Sequence, residues 1–432
     1  MNIRNVLVFP AGTEIGLEIF QALKHCKEVR VYGCGQDIPN HAQFVYPSYH
    51  VMPSIYEAGW LEALNGICDR LSIDYIIPAY DDVIVALARE VGNLKAEVIS
   101  SPLAACETTR SKSATYRALA SFMRVPRLYA DACQVTEYPV VVKPDRGQGS
   151  HGVNIVRDRE ELEYALSTVQ QPIICEYLPG EEYTVDCFSD RERGLLFAGA
   201  RRRSRTRNGI SVNTARVDLP GISELASTIG RKFGLRGAWF FQVKQARDGQ
   251  LALLEVAPRI AGSMALHRVA GVNFPLLSIL EHERVPLEVM VTPHHIELDR
   301  ALANRYRHDI EFSSLYVDLD DTLVLNGQVN TDLITLIYQC VNAGKPVKLV
   351  TRHAGDLSAT LAKYRLTELF DEVIHYEVGE PKSACITESD AIFVDDSYSE
   401  RRDVATRRGI PTFDSSMIEV LINRAPAKKK DR

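Results

Sequence analysis

Residues 138–152 read Tyr-Pro-Val-Val-Val-Lys-Pro-Asp-Arg-Gly-Gln-Gly-Ser-His-Gly. The β-branched run predicts a strand that ends at Lys143 and enters a loop with Gly147, Gly149 and Gly152. Glycines let backbone N–H groups approach phosphate oxygens closely, and a lysine at a strand end supplies a compact positive charge. No Gly-Lys-Ser/Thr follows, so this is not a Walker A loop. Taken alone, the stretch fits a triphosphate cradle or a flexible hairpin.

Working outward, the chain opens with the strand NVLVFP (residues 5–10), a Gly12-x-x-x-Gly16 turn and a second strand, Val29–Gly33. That βαβ pattern predicts a parallel sheet. Gly12 and Gly16 alone are too weak a fingerprint to assign a nucleotide. A helix is predicted over Thr109–Met123, and further strands over Ile173–Glu176, Tyr183–Ser189, Ala238–Gln245 and Leu251–Val256. The stretch 285–311 reads as a linker with a connecting helix, and a second βα alternation begins at Ser314.

At 432 residues the chain has room for two to four domains. Its 46% apolar and 25% charged residues exclude a disordered or fibrous protein. The net charge of −6 offers no broad basic field, so neither nucleic acid nor membrane is an expected partner. Nine scattered cysteines without a C-x-x-C pair, and no apolar leader at the N-terminus, predict free thiols in a cytoplasmic protein.

Gln242 and Glu255 lie on neighbouring predicted strands, where both side-chain oxygens reach one hard cation. Arg259 follows Glu255 through Pro258. By alternation Arg201 and Arg203 share one face of their strand, a candidate grip for a substrate carboxylate or phosphate. The bland alternative for that arginine run is a solvated loop. His151 reads as a loop filler and His267 as a packing residue.

With Lys112 in Ser-Lys-Ser, YPVVVKP, GQGSHGV, CEYLPGEEYTVD and LLEVAPRIAGS in this order, residues 1–290 resemble the ATP-grasp superfamily, in particular its carbamoyl-phosphate-synthase-like carboxylate–amine ligases. The resemblance implies a Rossmann-like pre-ATP-grasp domain over 1–105 and an α+β ATP-grasp domain over 106–290. It implies that Lys112 and Lys143 contact ATP phosphates and that Gly147, Gly149, Ser150 and Gly152 close over them. Glu176 would accept from the adenine amino group, with Tyr177 and Leu178 completing the hinge, and Glu182 would bind the ribose. Glu255 and Gln242 would hold Mg²⁺, with Mn²⁺ as an alternative. Arg259 would stabilise the transferred phosphoryl group or hold the substrate carboxylate. The family usually places Asn two residues after the metal Glu; Ala257 stands there and offers no side-chain oxygen.

A second constellation starts at SLYVDLDDTLV, residues 314–324. Alternation places Asp318 and Asp320 on one side, near one cation. VKLVT ends in Thr351, GEPKS contains Lys382, and AIFVDD ends in Asp395 and Asp396. Each predicted strand end delivers a hydroxyl, ammonium or carboxylate to the edge where open α/β sheets hold ligands. Residues 312–424 thus resemble the haloacid-dehalogenase (HAD) superfamily. The resemblance implies a Rossmann-like phosphatase, with Asp318 as nucleophile and Asp320 as general acid/base. Thr351 and Lys382 would bind phosphoryl oxygens. Asp318, Asp320, Asp395 and Asp396 would hold Mg²⁺, with Glu400 a further candidate. Only 33 residues separate Asp318 from Thr351 and 31 separate Thr351 from Lys382, too few for a large cap.

The expectation is an α/β protein with domains over 1–105, 106–290 and 312–424, a linker over 291–311 and a basic tail over 425–432. Its expected activities are an ATP-dependent ligation of a small-molecule carboxylate to an amine and hydrolysis of a phosphorylated metabolite. A homodimer is compatible with this reading. The alternatives are an active phosphatase whose first half only binds nucleotide, and a non-enzymatic nucleotide-sensing scaffold.

Overall fold

A computed structural model describes residues 3–306, 308–376 and 380–424. The basic tail 425–432 lies outside the described residues. Contacts divide the chain into two compact units, with the boundary between Ala303 and Asn304.

The first unit opens with a parallel sheet in the order Tyr49–Val51, Val29–Gly35, Arg4–Phe9, Tyr75–Pro78, Glu97–Val98. Its central strand is apolar on both faces, as a sheet covered on both sides requires, and Leu7 and Val8 are fully buried. The Gly12–Gly16 turn is a tight helix start. Thr13 accepts from the Gly16 amide at 3.0 Å, and a Cβ on Gly16 would stand 2.4 Å from the Ala11 carbonyl oxygen.

Two antiparallel sheets follow. One has the order Leu128–Tyr129, Pro172–Glu176, Val140–Pro144, Asn154–Val156. The other runs Leu251–Ala257, Gly237–Gln245, Glu182–Asp190, Gly194–Arg207, Ile210–Arg216, Glu297–Asp299. Alternation sorts the faces of this larger sheet. Tyr183, Val185 and Cys187 pack with Trp239, Phe241 and the helix Ile222–Phe233 in one core. Glu182, Thr184 and Asp186 therefore stand on the opposite face.

Two expectations are corrected here. The helix expected over Thr109–Met123 is two helices, Leu103–Arg110 and Lys112–Leu119. Ser111 stands between them in an extended conformation and caps the second, accepting from the Ala114 amide at 3.1 Å. The linker 291–311 contains the strand Glu297–Asp299, which extends the larger sheet, and no helix occurs in its described residues.

The second unit is a parallel sheet in the order Glu372–His375, Val347–Thr351, Ser314–Val317, Ala391–Val394, Thr412–Phe413. Leu315 and Val317 face one core cluster and Tyr316 the other, so both faces of the central strand are buried. Between Asp318 and the strand Val347–Thr351 lie only a short hairpin and the helix Thr331–Asn342.

Candidate functional site

In the first unit, a cleft of about 200 Å³ is lined by Lys112, Lys143, the 147–151 loop, Glu176–Leu178, Glu182, Arg203, Gln242 and Glu255. Sequence-distant groups thus meet in one place. The break at Ser111 puts Lys112 at a helix start, and its Nζ donates to the Gly147 carbonyl at 2.9 Å. Asp145 fixes that corner: it accepts from Ser111 Oγ at 2.6 Å and from the Ser113 amide at 2.7 Å.

Lys143 is 8% exposed, and its Nζ donates to Tyr116 Oη at 2.9 Å. Tyr116 in turn donates to the Leu254 carbonyl at 2.7 Å. Burial pushes the Tyr116 hydroxyl up to about 12, so it stays protonated and neutral beside the ammonium. Burial also lowers the Lys112 ammonium from its ordinary value.

Gly149 and Ser150 adopt left-handed backbone, φ 60° and 55°. The turn at Gly209 presses on this loop: a Cβ there would stand 2.3 Å from the Gly149 carbonyl carbon. Gly152, expected among the closing residues, does not line the cleft; its left-handed backbone, φ 71°, turns the chain against Pro144.

Gln242 and Glu255 are direct cross-strand partners, and the register breaks just after Gln242. The next pair on that face is Phe240 with Ala257. A carboxylate and an amide oxygen side by side suit a hard cation. Ala257 adds nothing to that donor set.

Four expected roles change. The Glu176 carboxylate is committed to Arg124 Nη2 at 2.9 Å and the Arg127 amide at 3.2 Å. Arg203 is at the cleft but pairs with Glu182 at 2.7 Å, and Lys244 adds a second cation at 3.7 Å. Arg259 is held by both oxygens of Asp81, from the parallel-sheet domain, with Nη2 3.1 Å from Oδ2. Arg201 is not free to grip a substrate: it is 1% exposed and bonds Asp186 through Nε and Nη2, at 2.8 and 3.1 Å. Burial alone would raise the Asp186 carboxyl, but Arg201 and His267 outweigh it and lower it to about 2.

In the second unit, Asp318, Asp395 and Asp396 bring carboxylate oxygens within 4.8 Å of one another. Lys382 Nζ reaches Asp318 Oδ1 at 2.6 Å and Asp395 Oδ2 at 2.5 Å. Thr322 Oγ1 contacts Asp318 at 3.3 Å and Asp396 at 3.1 Å. Burial raises the Asp318 carboxyl to about 6, and it raises Asp395 too. Three close oxygen ligands, two of them destabilised as free anions, fit a hard divalent cation. Thr351 is buried at the end of its strand, where its hydroxyl accepts from the His353 amide at 3.2 Å.

Asp320 is not part of this carboxylate group. Its side chain faces His353, with Nδ1 3.0 Å from each carboxylate oxygen. The turn explains this: the strand ends at Val317 and Asp321 is left-handed, φ 55°, so alternation does not carry Asp320 to the Asp318 side. Glu400 is likewise taken, by Arg352 at 2.6 Å. Sequence reasoning missed Tyr116, Asp81 and His353. For His353 the signal was its place two residues beyond Thr351.

The family described as "ATP-grasp in the biosynthetic pathway with Ter operon" matches residues 168–301. A D-alanine–D-alanine ligase of Fusobacterium nucleatum subsp. nucleatum is 31% identical over 74 residues, which span 17% of this chain and 26% of that ligase's length. Among solved structures, an L-amino acid ligase from Bacillus licheniformis superposes with a TM-score of 0.54 at 19% identity, covering 67% of this chain and 76% of the other. The biotin carboxylase domain of the Hydrogenobacter thermophilus 2-oxoglutarate carboxylase, solved with MgADP, ADP and bicarbonate, gives 0.56 at 18% identity, covering 67% and 72%.

Proposed function

We propose that the first unit, which has the mixed α/β ATP-grasp fold, uses ATP to join a small-molecule carboxylate to an amine through an acyl phosphate. The observation that carries this reading is the single cleft in which Lys112, Lys143 and the glycine loop face Gln242 and Glu255. A carboxylate is a poor electrophile; phosphorylation gives it a leaving group. The two ammonium groups and the loop amides neutralise and orient the polyphosphate. Gln242 and Glu255 would hold Mg²⁺, whose charge assists phosphoryl transfer. The Glu182 carboxylate, oriented by Arg203 and Lys244, is the candidate ribose acceptor. Among the described residues no cysteine is in a disulfide, which supports placing this chemistry in the cytoplasm.

The second unit we read as a Mg²⁺-dependent phosphohydrolase acting on a phosphorylated small metabolite. Asp318 would attack phosphorus, Lys382 and Thr351 would bind the phosphoryl oxygens, and Asp318, Asp395 and Asp396 would hold the cation. Asp320, beside His353, would serve as the general acid. Support for this reading is the Asp318–Lys382–Asp395 geometry at the strand ends, and fusion in one chain makes the protein bifunctional.

Ala257 favours a second reading for the first unit, nucleotide binding without ligation. ADP release from MgATP, measured across amino acids and phosphorylated metabolites, separates the two. Ligation predicts carboxylate-dependent ADP that Glu255→Ala abolishes; a purely binding unit gives none with either protein.

A further inference from the structure

Asp186, Arg201 and His267 form a buried polar group that the ligation described above does not use. Asp186 is fully buried and His267 is 1% exposed. His267 Nδ1 stands 2.9 Å from Asp186 Oδ2. A carboxylate gripped by a guanidinium accepts only, so Nδ1 carries an imidazole proton, and in the neutral ring Nε2 holds the lone pair. Nε2 has no hydrogen-bond partner among the described residues. The ring lines an open cleft of about 630 Å³ together with Gly199 and Arg216. A Cβ on Gly199 would lie 2.6 Å from Nε2, so only glycine leaves that nitrogen uncovered.

The group lies on the sheet face that carries Gln242 and Glu255. Ala257, Phe240, Asp186 and Gly199 form one row of cross-strand partners, and Glu255, Gln242, Thr184 and Arg201 form the next on the same face. Such rows are about 6.7 Å apart. In the second row, Thr184 Oγ1 and Arg201 Nη1 are buried with no hydrogen-bond partner. Leaving a buried hydrogen bond unmade is costly, so two neighbouring unpartnered groups suit a polar ligand atom.

We propose that His267 is the general base of the ligation and that the acceptor amine enters by the cleft it lines. The inference rests on the ligase reading. The amine nitrogen attacks the carbonyl carbon of the acyl phosphate, and the bond from that carbon to the phosphate oxygen breaks. Inorganic phosphate leaves with the electron pair. The proton lost by the attacking nitrogen passes to His267 Nε2. Asp186 fixes the tautomer, and Arg201 keeps Asp186 ionised.

The test uses hydroxylamine, which is unprotonated at neutral pH and attacks acyl phosphates without a base. The full chain is given MgATP and an equimolar mixture of the common L-amino acids, with and without hydroxylamine. His267→Gln is expected to keep hydroxamate formation within about threefold and to lose amide product about 100-fold, the usual contribution of a general base. Gly199→Ala, which covers Nε2, should show the same split, so the outcome does not hang on one variant folding. Retained amide formation in both variants, or equal loss of both products in both, overturns the proposal. A wild type that makes neither product overturns the ligase reading, and the inference falls with it.

Discussion

The Lys382 ammonium stands 2.6 Å from Asp318 Oδ1, and both groups are almost wholly buried. A buried pair broken on one side leaves an uncompensated charge, which typically costs about 3–5 kcal/mol. Lys382→Ala should therefore destabilise the second unit by roughly 3 kcal/mol and abolish phosphate-ester hydrolysis. Thermal unfolding in EDTA and hydrolysis of a generic aryl phosphate check the two halves of this expectation.

Burial raises Asp318 to about 6, above its ordinary value, so the folded protein holds this proton more tightly than the unfolded chain. Stability from this group is present at low pH and is lost as pH rises from about 4 through about 6. In EDTA the wild type should lose stability over that window relative to Asp318→Asn. Mg²⁺ should reverse the loss at pH 7. Identical pH profiles for the two proteins would contradict this assignment.

Tyr116→Phe removes the hydroxyl that accepts from Lys143 Nζ and donates to the Leu254 carbonyl. A hydrogen bond to a charged group contributes about 1.5–3 kcal/mol. ATP binding, measured by calorimetry, should weaken about tenfold. An unchanged affinity would mean that Lys143 needs no positioning.

Asp81→Ala leaves the Arg259 guanidinium buried against Phe240, 5.1 Å from the ring centre, without its carboxylate. A loss of roughly 3 kcal/mol is expected in denaturant unfolding, with ADP release reduced in parallel. Asp81→Asn should destabilise less, because the amide still accepts one hydrogen bond.

The parts of the site that depend on local pattern were legible in the sequence. Lys143 and the glycine loop follow from one strand and one turn, and the Gln242–Glu255 pairing follows from two neighbouring strands. Alternation also placed Arg201 and Arg203 on the same face. What alternation does not carry is the partner across the sheet: Asp186 claims Arg201 and Glu182 claims Arg203. The Asp81–Arg259 pair spans 178 residues, and no local signal marks such a contact. Asp320 was misplaced because its strand ends at Val317, where the period of two stops applying.

Oxygen tracing tests the account most directly. Amino acids labelled with ¹⁸O in the carboxylate are incubated with the protein and MgATP, and the released phosphate is examined by ³¹P NMR. Acyl phosphate chemistry at the Lys112–Lys143–Glu255 cleft predicts one ¹⁸O atom in the phosphate for each ADP formed. ADP accompanied only by unlabelled phosphate would contradict it.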